Sequence, residues 1–596
     1  MHYFRVHPEQ WRGRLETLAA MGVDSVETYV AWNLHERRRG SFDFTGIADL
    51  GHFLDTAGEV GLNAIVRPGP YICAEWDNGG LPAWLTGIPG IRVRTSDPVY
   101  VAEVDRWFDE LIPVIAARQT TRGGNVTMVQ VENEYGSFGS DKPYLQHLRD
   151  GLIERGIDVE LFTSDGAEDH MLTGGMIPGV RATANFGSRP GPSFEVLAQH
   201  RPQDEPFCME YWNGWFDHWG EQHHVREGDD AAAVLEQMLA AGASVNFYMA
   251  HGGTNFGVGA GANHDGVYQP TVTSYDYDAP LDERGRPTDK YWAFREVIAR
   301  YRDLPAAVGP APQSAPDSLL PAGSFRLTEA LPLTALLTGS IPGSGAVPGS
   351  GGVSAAGAAG SGGERVSLPG HDGAAPSGHP PTFEELGLGH GLVRYGTTIP
   401  GPRQAYPLTL PDLHDRAHVY AGGELIGIAE RDADFSVELA VPDEGLRLEI
   451  LVESMGRVNY GPQVGEYKGL VGGVCHERQY LHTWDVAALE LPDLPEVDWS
   501  AAVEPAPQSL AAGAQLLRGS LGVSEPADAY LLPEGFGKGY LWVNGFCLGR
   551  YWARGPQRAL YLPAPVLHAG ANEVIVLELD EMAEPEIRVV SEPVLG

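Results

Sequence analysis

Two short acidic motifs carry the chemistry that this sequence could perform. Residues 131–136 read Val-Glu-Asn-Glu-Tyr-Gly, and residues 208–215 read Cys-Met-Glu-Tyr-Trp-Asn-Gly-Trp. Each motif places a Glu, Glu134 or Glu210, at the end of a strand-like run and among aromatic residues. Cleavage of a sugar needs one carboxyl to donate a proton, another to attack or stabilise an oxocarbenium-like centre, and flat apolar rings for the pyranose. The two motifs therefore predict a sugar-cleaving site.

The reaction expected of such a pair is a double displacement. Protonated Glu134 would donate to the glycosidic oxygen while ionised Glu210 attacks the anomeric carbon, and water activated by Glu134 would then release the sugar with its configuration retained. This route needs carboxyls roughly 5 Å apart. Apolar neighbours and the charge of Glu210 should raise the pKa of Glu134. The scheme requires no cofactor, and no metal site is predicted.

The elements that must position these residues follow a repeating pattern over the first 300 residues. Helical and strand patterns alternate, and the predicted strands lie at residues 2–5, 25–30, 63–67, 126–131, 159–163, 181–185, 207–211 and 244–249. Eight such units predict a (β/α)8 barrel, in which active sites lie at the C-terminal ends of the strands. On this count Glu134 follows the fourth strand and Glu210 ends the seventh, so both should face one barrel mouth.

Composition excludes several classes of function. Of 596 residues, 79 are Asp or Glu and 41 are Lys or Arg, giving a formal net charge of -38. Such a surface repels phosphate groups, so neither nucleic acid nor an anionic membrane is expected as a partner. The four cysteines are too widely spaced for a disulfide framework, and no apolar run reaches the ~18 residues of a membrane span. Without a recognisable leader, the chain is expected to be cytoplasmic.

Residues 2 to about 303 closely resemble glycoside hydrolase family 35, the acid and lysosomal type β-galactosidases. Besides the two Glu motifs, the resemblance rests on residues 2–6 (His-Tyr-Phe-Arg-Val), 27–36 (Glu-Thr-Tyr-Val-Ala-Trp-Asn-Leu-His-Glu), 67–76 (Arg-Pro-Gly-Pro-Tyr-Ile-Cys-Ala-Glu-Trp), 79–85 (Gly-Gly-Leu-Pro-Ala-Trp-Leu), 252–256 (Gly-Gly-Thr-Asn-Phe) and 274–281 (Ser-Tyr-Asp-Tyr-Asp-Ala-Pro-Leu). A lone Asn-Glu pair is weak evidence, whereas this many stretches in the family's order are specific. The resemblance implies a β-galactoside substrate.

The resemblance also assigns roles to individual residues. It implies that Glu134 is the general acid/base and Glu210 the nucleophile. It further implies that the sugar is bound by Tyr29, Ala74, Glu75, Asn133, Trp212, Trp215, Tyr248 and Tyr277, with Asn133 on the 2-hydroxyl. The family often has Tyr where this chain has Trp212, an exchange that keeps an apolar ring but removes a hydroxyl, so the preferred sugar could differ.

Beyond the predicted barrel at 1–310, the sequence changes character. A connector is expected at 311–339, followed at 340–380 by a Gly-, Ser- and Pro-rich stretch, too poor in apolar residues to bury a core and expected to be a disordered linker or insertion. Short alternating runs then predict two β domains, at 381–500 and 501–596, which resemble the all-β jelly-roll (galactose-binding-like) domains that follow the barrel in family 35.

Three hypotheses remain open from the sequence. The first is a retaining exo-β-galactosidase acting on small galactosides or oligosaccharide ends. The second is the same machinery acting on another β-glycoside, such as a glucosaminide or an arabinopyranoside. The third is a catalytically impaired galactoside-binding protein, because the family carries a further strand-bearing segment before its His-Tyr motif and the first strand here is expected to be short. A homo-oligomer is possible under each of them.

Overall fold

The computed structural model describes residues 1–304, 319–337 and 378–596. Its first part is a nearly closed barrel of seven parallel strands in chain order. The strands are β1 (Ser25–Tyr29), β2 (Asn63–Arg67), β3 (Val126–Gln130), β4 (Glu160–Gly166), β5 (Arg181–Phe186), β6 (Phe207–Trp212) and β7 (Ser244–Tyr248). They coincide closely with seven of the eight predicted strands, which confirms the barrel fold of the TIM type.

The helices of the barrel lie outside the sheet and begin and end where the sequence signals it. They span Trp11–Met21, Leu50–Val60, Pro98–Ala116, Lys142–Glu154, Asp169–Gly175, Pro190–His200, Gly228–Ala240 and Asp289–Ile298, with short helical turns at Trp32–His35, Ala83–Thr86 and Tyr135–Phe138. The Asp97 carboxylate accepts a hydrogen bond from the Val99 N–H at 2.9 Å and caps the helix that follows. Inside the barrel the core includes Ile65, Met128, Phe162, Phe207 and Met209, so its centre is packed rather than hollow.

The strand predicted at residues 2–5 is not formed. Tyr3–Arg5 is a 3-10 turn, closed by a hydrogen bond from the Val6 N–H to the Tyr3 carbonyl at 3.2 Å. The Trp11 indole N–H, at 3.0 Å from the carbonyl oxygens of both Tyr3 and Val6, occupies acceptors that a strand ladder would need. Within the described residues, Glu134 therefore follows the third strand and Glu210 lies in the sixth.

The same N-terminal segment lies between the two edge strands of the barrel. His2 accepts a hydrogen bond from the Tyr29 N–H of β1 at 3.3 Å through Nδ1. Its Nε2 lies 3.4 Å from the Tyr248 hydroxyl of β7. One side chain thus bridges β1 and β7 where the eighth strand was predicted.

The remaining described residues form antiparallel sheets. One sheet has the strand order Glu424–Glu430, Arg416–Ala421, Leu446–Glu453, Gly391–Ile399, Asp485–Glu490, and a second has Ser436–Val441, Arg403–Thr409, Cys475–His476, Gln479–Tyr480. A third has Phe546–Trp552, Lys538–Val543, Gly570–Glu578, Gln515–Val523, Gly323–Pro332, Glu586–Val590, Ala529–Leu532, Leu560–Leu562. Two-stranded ladders pair Leu413–His414 with Gly469–Leu470 and Ala262–His264 with Tyr268–Pro270. The all-β character of this part is confirmed, while the jelly-roll topology stays a prediction.

The chain between the barrel and the β domains contains a strand in addition to connecting residues. Gly323–Pro332, inside the predicted connector, is a strand that pairs with Gln515–Val523 and Glu586–Val590. The strand pattern of this short piece was not recognised in the sequence. The predicted disordered stretch at 340–380 lies outside the described residues except for positions 378–380. No described helix is both long and apolar enough to cross a membrane.

Candidate active site

A pocket of about 240 Å³ lies at the C-terminal end of the barrel sheet. Its lining contains the ten residues singled out in the sequence: Tyr29, Ala74, Glu75, Asn133, Glu134, Glu210, Trp212, Trp215, Tyr248 and Tyr277. Three of them, Tyr29, Trp212 and Tyr248, are the last residues of β1, β6 and β7. Because parallel strands end at one rim, residues spread over 249 positions of the sequence meet in one cavity.

Glu210 stands on β6 among hydrogen-bond donors. Its Oε1 accepts a hydrogen bond from the Tyr29 hydroxyl and pairs with the Arg67 guanidinium, both at 2.7 Å. Its Oε2 accepts from the Trp212 indole N–H at 3.1 Å. Charge-assisted donors of this kind hold the Glu210 carboxylate in place. The Trp212 indole N–H thus provides a donor to Glu210 at the position where the family often has Tyr.

Arg67 is the buried cation of the site. Its side chain is wholly inaccessible to solvent, and beside Glu210 it also donates to the Asn133 amide oxygen at 2.7 Å. A second carboxylate, Glu27, lies 3.6 Å from the guanidinium. The Tyr29 hydroxyl oxygen also lies 2.8 Å from this Asn133 oxygen, and because the oxygen faces Arg67, the amide N–H2 of Asn133 must point away from the guanidinium. Arg67 thereby orients Asn133 as well as Glu210.

Glu134 has different surroundings. It follows β3 in the left-handed backbone region, with φ of 45°, and its N–H donates to the Ser164 carbonyl of β4 at 3.0 Å. Its Oε1 accepts from the Asn185 amide at 2.9 Å, and the Ser164 hydroxyl donates to the Asn185 oxygen at 2.6 Å. Burial, and next the charge of Glu210, raise the pKa of Glu134 to about 8. A carboxyl in this state holds its proton near neutral pH.

Glu75 and Ala74 lie on a strained turn after β2. Cys73, Ala74 and Glu75 are all left-handed, with φ of 54°, 59° and 48°. Left-handed conformations cost about 1–2 kcal/mol for each residue other than glycine, so contacts elsewhere must hold the turn. The Tyr275 hydroxyl donates to the Glu75 carboxylate, and the Arg5 guanidinium donates to the Ala74 carbonyl. Burial raises the pKa of Glu75.

Aromatic rings form the rest of the wall. The rings of Tyr248 and Tyr277 meet edge to face with centroids 5.7 Å apart, and both residues are buried. Trp212 and Trp215 are also arranged edge to face, at 5.9 Å. Trp215 is 39% exposed and stands at the rim. The pocket therefore has a buried floor and an open aromatic edge, which suits one sugar ring entering by one end.

Four residues of the site were missed in the sequence. Arg67 opens a recognised motif and Tyr275 lies in another, yet neither was given a role. Asn185 near the end of β5 shows only the weak signal of a polar residue at a strand end. Tyr460 lines the pocket from the first β domain, where its neighbour Asn459 accepts a hydrogen bond from the Tyr71 hydroxyl at 2.5 Å. No local pattern indicates that contact, because it is made 388 residues away along the chain.

Three parts of the chain match models of known protein families. Residues 1–301 match the model of glycosyl hydrolases family 35, residues 380–490 that of "Beta-galactosidase, first all-beta domain", and residues 516–572 that of "Beta-galactosidase, galactose-binding domain".

Curated relatives match along nearly the whole chain. "Beta-galactosidase-1-like protein" of Mus musculus is 37% identical and the alignment covers 100% of this chain and 88% of the mouse protein. "Beta-galactosidase" of Xanthomonas manihotis is 38% identical over 94% of this chain and 88% of its own length, and that of Bos taurus is 37% identical over 97% and 87%. The chain belongs to family 35 of the glycosyl hydrolases.

Proposed function

We propose that this chain is a retaining exo-β-galactosidase, which releases terminal β-D-galactose from small galactosides or oligosaccharides. The observation that carries the proposal is the unequal treatment of two carboxyls in one pocket of a family 35 barrel. Glu210 accepts three charge-stabilising contacts, whereas the pKa of Glu134 is raised to about 8. Two carboxyls whose proton affinities are pushed apart are the requirement for acid-assisted nucleophilic displacement.

In the first step the neutral Glu134 carboxyl protonates the glycosidic oxygen, and the leaving group departs as an alcohol. The Glu210 carboxylate attacks the anomeric carbon from the opposite face and forms a glycosyl ester. This consumes the charge of Glu210, which is the second cause of the raised pKa of Glu134. Glu134, now ionised and easier to keep so, removes a proton from water, which cleaves the ester and restores both carboxyls.

The pocket supports a single terminal sugar as the substrate unit. Its volume of about 240 Å³ is below the roughly 300–1,000 Å³ of sites for drug-sized ligands. The floor contains Tyr29, Ala74, Glu75, Tyr248 and Tyr277, all of them buried. In our proposal Glu75 and the Ala74 backbone bind ring hydroxyls, and Asn133 meets the 2-hydroxyl beside the reacting carbon. Trp215 and Trp212 cover the apolar face of the ring.

Galactose is favoured over another β-glycoside by the β-galactosidase relatives and by the match to β-galactosidase domain models. The Trp212 indole N–H contacts Glu210, so this departure from the family pattern alters the nucleophile's donors in addition to any effect on sugar choice. A cytoplasmic location also stays a proposal. Its support is the set of free thiols at Cys73, Cys208, Cys475 and Cys547, which a reducing compartment preserves.

The test is hydrolysis of a panel of aryl β-glycosides by the full chain, with Glu134→Gln and Glu210→Gln measured beside it and circular dichroism confirming folding. We expect the β-galactoside to be the best substrate and both variants to be folded but strongly impaired. Nuclear magnetic resonance of the first product should show the β-anomer. If a glucosaminide or an arabinopyranoside is hydrolysed faster than the β-galactoside, the proposed substrate is that sugar instead. A folded wild type without turnover on any glycoside would refute an enzymatic role.

A further inference from the structure

Asp165 is a buried carboxyl near Glu134 that has no role in the reaction proposed for Glu134 and Glu210. Asp165 lies on β4 one residue before its end, and 1% of its surface is exposed. Its Oδ1 accepts a hydrogen bond from the Gly136 N–H at 2.8 Å. Gly136 is only two residues after Glu134 and belongs to the short helical turn Tyr135–Phe138. Asp165 therefore contacts the backbone that carries the proposed acid/base.

That backbone needs to be held. Glu134 and the nearby Glu132 both have left-handed φ values, 45° and 56°, which side-chain-bearing residues adopt only when their surroundings enforce them. Two consecutive residues of β4 provide acceptors for the turn: the Ser164 carbonyl for the Glu134 N–H at 3.0 Å, and the Asp165 carboxylate for the Gly136 N–H. We propose that Asp165 is a positioning residue, which fixes the turn under Glu134 and acts on the Glu134 carboxyl through its own charge.

Packing keeps Asp165 in this place. A Cβ added at Gly175 would lie 2.0 Å from its Oδ2, and one added at Gly136 would lie 1.7 Å from the Met171 carbonyl oxygen. Both distances are well inside van der Waals contact, so the helix Asp169–Gly175 packs against the turn through positions that lack side chains. The Asp165 carboxylate is therefore closely packed against the backbone of Gly175.

The charges that face Asp165 come from three segments. Burial, the largest effect, and the charge of Glu132 after β3 raise the pKa of Asp165 to about 7, while the hydrogen bond from Gly136 and the charges of Lys142 and Arg94 act to lower it. Asp165 is therefore partly ionised near neutral pH, and its ionised fraction increases with pH over the range in which Glu134 begins to lose its proton.

The charges that face Glu134 show the sign of the effect. Glu210 and Asp165 raise the pKa of Glu134, whereas the amide hydrogen bond from Asn185 and the charge of Arg67 lower it. An ionised Asp165 thus makes it harder for Glu134 to lose its proton. Since only the protonated form of Glu134 can donate to the leaving group, the charge of Asp165 extends activity to higher pH. This inference rests on the role given to Glu134 in the proposed function.

The experiment compares pH profiles of kcat/KM for wild type, Asp165→Asn and Asp165→Ala on an alkyl β-galactoside, whose leaving group needs the proton of Glu134. Asparagine keeps an acceptor oxygen for Gly136 and removes the charge, so we expect its alkaline limb to move down by about half to one pH unit. Alanine also removes the acceptor, and we expect a further loss of about tenfold in kcat because the turn is no longer fixed. The matched control is Glu283→Gln, a buried carboxyl that contacts Thr254 instead of the turn and should leave the limb in place.

The outcomes separate this inference from the proposed function. If wild type hydrolyses the β-galactoside and the limb of Asp165→Asn stays where it is, Asp165 has only a structural role and the inference is refuted. An equal shift in Glu283→Gln would refute it too, since the effect would then be general. If wild type is inactive while folded, the proposed function fails first. Should Asp165→Ala not fold, the Asp165→Asn profile alone decides.

Discussion

The two sides of the pocket present the same functional group in opposite settings. Glu210 stands on β6 and contacts a buried guanidinium, a phenol and an indole N–H. Glu134 stands on a left-handed turn and accepts one neutral amide hydrogen bond, and no ion pair in the described part of the chain includes it. Burial raises the pKa of Glu134 to about 8. In the proposed mechanism, the neighbours of each carboxyl, rather than the carboxyl itself, decide which one attacks and which one donates a proton.

The backbone conformations at Glu210 and Glu134 also differ. Glu210 lies within β6, whose ladders with β5 and β7 shift register beside it, and three side-chain donors aim its carboxylate. Glu134 depends on contacts from β4 and β5, which supply the Ser164 carbonyl and the Asn185 amide. We therefore expect substitutions that disturb backbone packing to reduce activity more when they lie near Glu134. Substitutions that remove a charged partner should reduce activity more when they lie near Glu210.

The largest effect is expected from Glu210→Gln. Without a nucleophile the ester cannot form, so kcat should fall on the order of 10⁴-fold or more. Arg67 keeps Glu27 at 3.6 Å as a partner, so the variant should remain folded. Stopped assays on an aryl β-galactoside and thermal unfolding measure the two quantities. Glu59→Gln, an exposed carboxyl that pairs with Arg12, is the control. Near-normal turnover in Glu210→Gln would reverse the assignment of the two sides.

Glu134→Gln tests the acid side next. The loss in kcat/KM, which reports the step that forms the ester, should be about 10²–10⁴-fold for an alkyl leaving group and much smaller for an activated aryl group, which departs without a proton. The value of kcat should fall for both substrates, because Glu134 also activates the water that cleaves the ester. In wild type, activity should be present below the pKa of about 8 and decline as pH rises through it, because Glu134 then loses its proton. This alkaline limb should be absent in the variant. A limb that persists unchanged would mean that another group controls it.

Arg67→Met removes the buried cation beside Glu210 and leaves the hydrogen bonds of Glu134 in place. Glu27 and Glu210 would be left as buried carboxylates without their partner, which should cost about 3–5 kcal/mol of unfolding free energy. We expect kcat/KM to fall about tenfold to a hundredfold as the proton affinity of Glu210 rises. Arg67→Lys, which keeps the charge, should recover part of both losses. Urea unfolding and initial rates measure them, and equal losses in the two variants would argue against the charge.

The smallest effect is expected from Trp212→Phe. It removes the indole N–H that donates to Glu210 at 3.1 Å, while the donors Tyr29 and Arg67 remain. A drop of about threefold to tenfold in kcat fits one of several hydrogen bonds to a charged group. Trp212→Tyr restores a polar ring of the family type and is the matched variant. A change in the ratio of galactoside to other glycoside turnover, without a change in kcat, would assign Trp212 to sugar choice instead.

Much of the barrel could be predicted from the sequence, and the reason is local. Seven strands showed the short apolar runs of buried parallel strands between helical patterns, and the structure has them at nearly the same residues. The segment at 2–5 has a similar run of aromatic residues but forms a 3-10 turn. The Trp11 indole, on the helix that follows, occupies the carbonyl oxygens of Tyr3 and Val6, and the alternation of residue types within the segment does not show this side-chain contact.

The sequence by itself determined the family, the barrel and the ten residues that line the pocket, because strand ends and short motifs are local features of the chain. Only the tertiary structure decided that Arg67 pairs with Glu210, that Asn185 and Asp165 support Glu134 and its turn, and that Tyr460 closes the wall. Proton affinities depend on burial and on charges brought from other strands. The closure of the sheet decides which side chains become neighbours. The sequence pattern therefore identifies the two carboxyls, but their different surroundings arise only in the folded chain.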